Sequence, residues 1–156
     1  KVHQNTLIVL PLGGLTIVKF DFNPLETVDF DDASKVTLWE SSNNRLEKLP
    51  EALLRAPLLV TLNCTNNKLT ELPEVDLPKL EILNVNGNAL TALPKLNTPS
   101  LRTLFLADNP ITSLDPDFPQ TLLRFNCKGS SIPTDDPTLE AIKKHIAAQD
   151  NGRFII

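Results

Sequence analysis

Residues 59–73 read LVTLNCTNNKLTELP, which fits the phrase L-x-x-L-x-L-x-x-N-x-L-x-x-L-P with Leu59, Leu62, Cys64, Asn67, Leu69, Leu72 and Pro73 at its fixed positions. Leu62 and Cys64 are two residues apart, the period of a strand with one buried face. The other apolar positions are too irregular for a helix and too regular for a loop. A phrase of this kind cannot bury its own apolar residues, so it predicts neighbours of the same form.

Those neighbours are present. Downstream, the phrase returns as Leu80, Leu83, Val85, Asn88, Leu90, Leu93 and Pro94. It returns again as Leu101, Leu104, Leu106, Asn109, Ile111 and Leu114, with Asp115 in place of the proline. A last copy reads Leu122, Phe125, Cys127, Ser130 and Ile132. Upstream lie Val36, Trp39, Ser41, Asn44, Leu46, Leu49 and Pro50, then Leu15, Val18, Phe20, Asn23, Leu25 and Val28. Val2, Asn5, Leu7, Leu10 and Pro11 read as the tail of a copy whose beginning is absent. The asparagines at 5, 23, 44, 67, 88 and 109 are spaced by 18, 21, 23, 21 and 21 residues, and Ser130 follows 21 later. Seven phased copies, the first incomplete, are expected over residues 1–133.

This phrase resembles the leucine-rich-repeat family over residues 1 to about 133. The resemblance implies an α/β solenoid: a curved right-handed superhelix with a parallel β-sheet on its concave face. It also implies an inward Asn in each copy, bonding backbone groups whose burial without a partner costs on the order of 1–3 kcal/mol each. Ser130 is then read as a relaxed position with no later copy to serve. The connecting segments carry the subtype. Pro50–Pro57 is expected to make about two helical turns, with Pro50 in the first. Segments such as 72–80 and 93–101, each with two prolines, are expected to be extended or polyproline. Their pattern resembles the short repeats of injected bacterial effectors, the YopM and IpaH groups, although these copies run a residue longer. The 21–23-residue repeats of Roco, Ras-binding and plant intracellular proteins are the alternative.

Beyond Ile132 the phrase stops. Asp136 and Pro137 predict the start of a helix whose stripe Leu139, Ile142 and Ile146 covers the last layer of the core. Residues 134–156 are thus expected to be a capping helix and tail, with Arg153–Ile156 an exposed end leading to something further on. With 13 Pro, 5 Gly and few aromatics, the core must be filled by aliphatic residues in many similar layers. The net charge of −4 and the lack of a clustered basic track argue against a nucleic-acid partner. No apolar run approaches the roughly 20 residues needed to span a bilayer.

Chemistry finds no foothold in the sequence. Cys64 and Cys127 share a phrase position three copies apart, which predicts a separation of roughly 14–15 Å, beyond the reach of a disulfide. Both are expected as buried apolar residues in a reducing, cytoplasmic setting, inside a host cell if the effector resemblance holds. His3 and His145 lie at opposite ends, with His145 expected to be solvated. Asp29, Asp31 and Asp32 lack the spacing of a calcium loop and read as a solvated turn. Trp39 reads as core. No cofactor, metal or catalytic residue is expected.

Binding is expected on the outward strand positions. The central column is Lys19, Glu40, Asn63, Asn84, Phe105 and Asn126, flanked by Ile17, Leu38, Thr61, Ile82, Thr103 and Arg124. On its other side run Asp21, Ser42, Thr65, Asn86, Ala107 and Lys128. Apolar residues among amides suit a protein or extended peptide, bound without desolvating many charges. The expected partner set is Lys19, Glu40, Asn63, Ile82, Asn84, Asn86, Phe105, Arg124, Asn126 and Lys128. The expected function is a monomeric protein-binding module of a larger protein. The alternative is the substrate-selecting part of a bacterial effector ubiquitin ligase whose catalytic domain lies elsewhere.

Overall fold

The structure is a computed structural model that describes residues 8–10, 14–30 and 32–156. The expectations placed on Val2, His3, Asn5, Leu7, Pro11 and Asp31 fall outside these residues. In chain order the elements begin with β1 (Ile8–Leu10), β2 (Ile17–Lys19), β3 (Val28–Phe30), β4 (Leu38–Glu40) and a 3₁₀ turn (Leu53–Arg55). They continue with β5 (Thr61–Asn63), β6 (Val75–Asp76), β7 (Ile82–Asn84), β8 (Leu96–Asn97), β9 (Thr103–Phe105) and β10 (Arg124–Asn126). The chain closes with α1 (Pro137–Ala147) and β11 (Arg153–Ile155).

One strand from each of six copies, joined by β11 from the tail, builds a seven-stranded parallel sheet in the order β11-β10-β9-β7-β5-β4-β2. This is the concave sheet of a solenoid. Register runs without slip: Val18, Trp39, Leu62, Leu83, Leu104 and Phe125 are successive Cα partners, and all are buried. Two-stranded parallel pairs, β1-β3 and β6-β8, tie copies together away from the main sheet. The proline-punctuated connections are thus extended, as their composition requires, and long enough for a bridge or two.

The first Leu of each phrase measures how well each layer is covered. Val36, Leu59, Leu80, Leu101 and Leu122 are fully buried, whereas Leu15 is 48 % exposed. The phrase predicts Leu15 as core. However, β2 is the edge strand of the sheet among the described residues, so Leu15 has a packed layer on one side only. Trp39 is fully buried between Phe20 and Phe30, with ring centroids at 5.1 and 5.4 Å, and its indole N–H donates to Ser41 Oγ at 3.0 Å.

The recurrent asparagines hold the layers in phase. Asn67 Nδ2 donates to the carbonyls of Cys64 and Thr65 in its own copy, and to Ser41 of the copy before at 2.9 Å. Its Oδ1 accepts from Leu46 N, also in the copy before, at 3.1 Å. Asn88 repeats the set with Cys64 O and Leu69 N, and Asn109 with Val85 O and Leu90 N. The ladder reaches backward, which corrects the reading of Ser130. Its copy does have a neighbour to serve, but a hydroxyl is too short for the task. There only the backbone bond that earlier copies also make remains, Ser131 N to Ile111 O at 2.9 Å, equivalent to Lys68 N to Leu46 O.

The residue before each of these positions is left-handed: Phe22, Asn43, Asn66, Gly87, Asp108 and Gly129 all have φ between 55° and 76°. Gly, Asn and Asp tolerate this region. Phe22 does not, and at 79 % exposure it gains little packing in return.

Pro50–Ala56 is helical, with i→i+3 bonds throughout, Leu53 N to Pro50 O at 3.1 Å through Ala56 N to Leu53 O at 3.2 Å, so its turns are of the 3₁₀ type. A tighter coil lets Leu53 and Leu54 both reach the core within one layer. At the C-terminus α1 forms as its residues predict. Asp136 Oδ1 caps Leu139 N at 2.9 Å, and Leu139, Ile142 and Ile146 are buried. The tail then returns to the sheet as β11, where the sequence offers only an exposed end. Phe154 stacks on Phe125 with centroids 5.6 Å apart. This return needs Gly152, since a Cβ there would lie 2.1 Å from the Ile146 carbonyl oxygen.

Leu83→Ala, in a central fully buried layer, should cost roughly 2–5 kcal/mol in urea unfolding, and Lys95→Ala on an exposed connection close to nothing. Phe22→Asn, which matches Asn43 and Asn66, should raise stability by about 0.5–1 kcal/mol by removing left-handed strain.

Candidate functional site

Strand register places the expected binding columns on one face. Ile17, Leu38, Thr61, Ile82, Thr103 and Arg124 are successive Cα partners, as are Lys19, Glu40, Asn63, Asn84, Phe105 and Asn126. The sequence does not reveal that β11 extends both columns, by Arg153 beside Arg124 and Ile155 beside Asn126. Ile17 (57 % exposed) and Ile82 (37 %) stand open on this face. Thr103 and Ala107 do not: both are buried, although the phrase assigns them outward positions. At these two places the face is closed by its neighbours.

The amides of the face are used asymmetrically. Asn63 Oδ1 accepts from Thr65 N, Thr65 Oγ1 and Ser42 Oγ at 3.2, 2.7 and 3.2 Å. Asn84 Oδ1 accepts from Asn86 N, Asn126 Oδ1 from Lys128 N, and Asn86 Oδ1 from Ala107 N, at 3.1, 3.0 and 2.7 Å. The Asn63, Asn84 and Asn126 carbonyls close the turns that follow their strands, whereas that of Asn86 reaches the next copy. The Nδ2 groups of the same four residues make no hydrogen bond within the described residues. The face therefore offers a row of half-buried donors, not the two-way amides that the residue type alone suggests.

Charge is held at the ends of the sheet. Lys19 and Glu40 form an ion pair at 3.5 Å near one end, while Arg124 and Lys128 stand exposed near the other. The thiols are inert structural groups: burial pushes the Cys64 thiol up to about 12 and raises that of Cys127, the latter partly offset by a hydrogen bond involving Ser130. His145 departs from its expected solvated state. It packs edge-on to Phe118 at 5.7 Å, and its Nε2 is buried without a partner. Asp29 and Asp32 are exposed, and backbone N–H donation from Ser34 holds the Asp32 carboxyl below its ordinary range. Among the described residues, no group of three or more His, Cys, Asp or Glu is placed to hold a metal ion. Nor is any helix among them long and apolar enough to cross a membrane.

A family model described as Leucine Rich repeats (2 copies) matches residues 57–98, and a second, Leucine Rich Repeat, matches 100–122. These are the copies in which phrase, strand and asparagine ladder coincide. Residues 57–98 and 100–122 are leucine-rich repeats. Among solved structures it is similar to YopM from Yersinia enterocolitica WA-314, with 31% identity and a TM-score of 0.55, covering 80% of this chain and 29% of that one. This leucine-rich-repeat chain thus spans less than a third of the length of YopM. It also shares its fold with a Shigella effector LRR domain, at 24% identity and a TM-score of 0.57, covering 94% of this chain and 80% of that one. No curated protein matches the chain. Of the two subtypes, these likenesses favour the bacterial effector repeats. Leucine-rich-repeat domains of this kind are protein-interaction modules.

The buried thiol has a consequence for pH dependence. Between its unfolded value near 8.5 and the raised folded value of about 12, the unfolded chain binds fewer protons than the folded one. Stability should therefore fall as pH rises from about 9 towards 12. Cys64→Ala should flatten that part of the denaturation-versus-pH curve.

Proposed function

We propose that this chain is a recognition module that holds a protein or extended peptide against the concave sheet. Residues 1–133 form the repeat array and 134–156 its closing cap. The binding set is Lys19, Glu40, Asn63, Ile82, Asn84, Asn86, Phe105, Arg124, Asn126 and Lys128. The row of four unengaged amide donors beside exposed Ile17 and Ile82 carries this reading. Donors without internal partners match the carbonyl oxygens of a polypeptide, and isolated apolar residues between them anchor side chains. The module acts as a monomer, without cofactor or catalytic group of its own, and neither nucleic acid nor membrane is its target.

The likeness to YopM supports a setting in which the module belongs to a bacterial effector working in host cytoplasm. In a second reading within that setting, the module selects substrates for a ubiquitin ligase whose catalytic domain lies outside residues 1–156.

The triple variant Asn63→Glu, Asn84→Glu and Phe105→Glu should lose the partner that the wild type retains in a parallel pull-down. Lys95→Glu, on a connection, should retain it. Equal recovery by all three proteins would remove the sheet face as the binding surface.

A further inference from the structure

Three arginines converge at the C-terminal end of the sheet. Arg124 and Arg153 are direct Cα partners on β10 and β11. Neighbouring strands lie roughly 4.8 Å apart, and like charges placed directly opposite one another repel. Arg102, one residue before β9, is stitched to the same place: its carbonyl oxygen accepts from Leu123 N at 2.8 Å and Arg124 N at 2.9 Å. The Leu123 carbonyl in turn accepts from Arg153 N at 2.8 Å. The three residues line one open cleft of about 730 Å³ with Leu123, Asn151 and Gly152. All three are exposed.

No carboxylate answers them. The ion pair found among the described residues is Lys19–Glu40, at the opposite end of the sheet. Glu81 stands one layer before Arg102, with its backbone carbonyl bonded to Arg102 N at 2.9 Å, and Asp150 precedes the cleft residue Asn151. Neither makes a salt bridge to the cluster. Three unpaired guanidiniums on adjacent layers are thus concentrated in a protein whose net charge is −4. The placement is built: Gly152 brings the chain off α1 so sharply that any side chain there would meet the Ile146 carbonyl, and this turn sets Arg153 beside Arg124.

We propose that this cleft binds an acidic segment of a polypeptide partner, with its carboxylates on Arg102, Arg124 and Arg153. The inference rests on the recognition role proposed above and specifies the charge of what is recognised. Guanidinium forks match carboxylates in bidentate pairs, and a ligand oxyanion relieves the Arg124–Arg153 repulsion that the folded chain otherwise carries. Polypeptide is favoured over nucleic acid by the surroundings. The adjoining column offers Phe105, the unengaged Asn126 Nδ2 and exposed Ile155, while the basic cluster is too short for a phosphate backbone track.

The test is fluorescence polarisation at low salt with a labelled octapeptide of alternating Glu and Leu, its Glu→Gln analogue, and a single-stranded oligonucleotide of equal charge. The wild type should bind the Glu peptide at least tenfold tighter than either control, and added salt should weaken binding. Arg124→Gln with Arg153→Gln should lower affinity at least tenfold, whereas Lys79→Gln with Lys95→Gln should not change it. Arg153→Glu should abolish binding yet raise the melting temperature in low salt, because it gives Arg124 an internal partner; this gain separates lost recognition from a lost fold. Equal binding of the Gln peptide, equal or tighter binding of the oligonucleotide, or wild-type affinity in the double variant would overturn the proposal. The sheet-face reading would survive that failure if the Asn63, Asn84 and Phe105 variant still lost its partner.

Discussion

A side-chain amide that reaches back one layer governs this structure. Each strand of the seven-stranded sheet is three residues long, and a chain of such strands turns sharply after every one. These turns leave backbone N–H and C=O groups buried between layers, where an unmet donor or acceptor costs on the order of 1–3 kcal/mol. Asn44, Asn67, Asn88 and Asn109 each meet one N–H and three carbonyls. Few other side chains carry both an acceptor and a two-proton donor on so short a stem. The aliphatic core could be filled in many ways, but the phase between layers depends on this amide.

Phase, in turn, is what makes the outer face usable. Because no strand slips, side chains of equivalent position form straight columns, and a partner meets rows rather than scattered residues. A second set of amides, Asn63, Asn84 and Asn126 on the strands themselves, uses its carbonyls to close the following turns and leaves its donors unengaged among the described residues. The face is therefore chemically one-sided along its middle, apolar in patches and charged at its ends.

Much of this was readable from residue spacing. The alternation Leu62, Cys64 and its equivalents gave strand, face and core together, and Trp39 fell correctly inside because its position, not its type, decides burial. What spacing could not supply was anything set by neighbours across layers. Leu15 obeys the phrase yet is exposed at a sheet edge. Thr103 and Ala107 sit at outward positions yet are covered. Residues 153–155 carry no phrase at all, and join the sheet through the Phe154–Phe125 stack and the turn that Gly152 permits. His145 looked like a solvent residue on a helix until Phe118, from the preceding layer, packed over it. The arginine cleft belongs to the same class, since its members are 102, 124 and 153 and only register brings them together.

The backward direction of the amide ladder gives the array a polarity. An asparagine keyed to the copy before it binds fully only when that copy is already in place. Among the described residues Asn23 bonds the carbonyls of its own loop, Phe20 O and Asp21 O, and it is exposed to solvent. At the other end the array closes on a buried helix face and a seventh strand. There β10 is paired with β11 and covered by the buried face of α1, which holds the last layers closed.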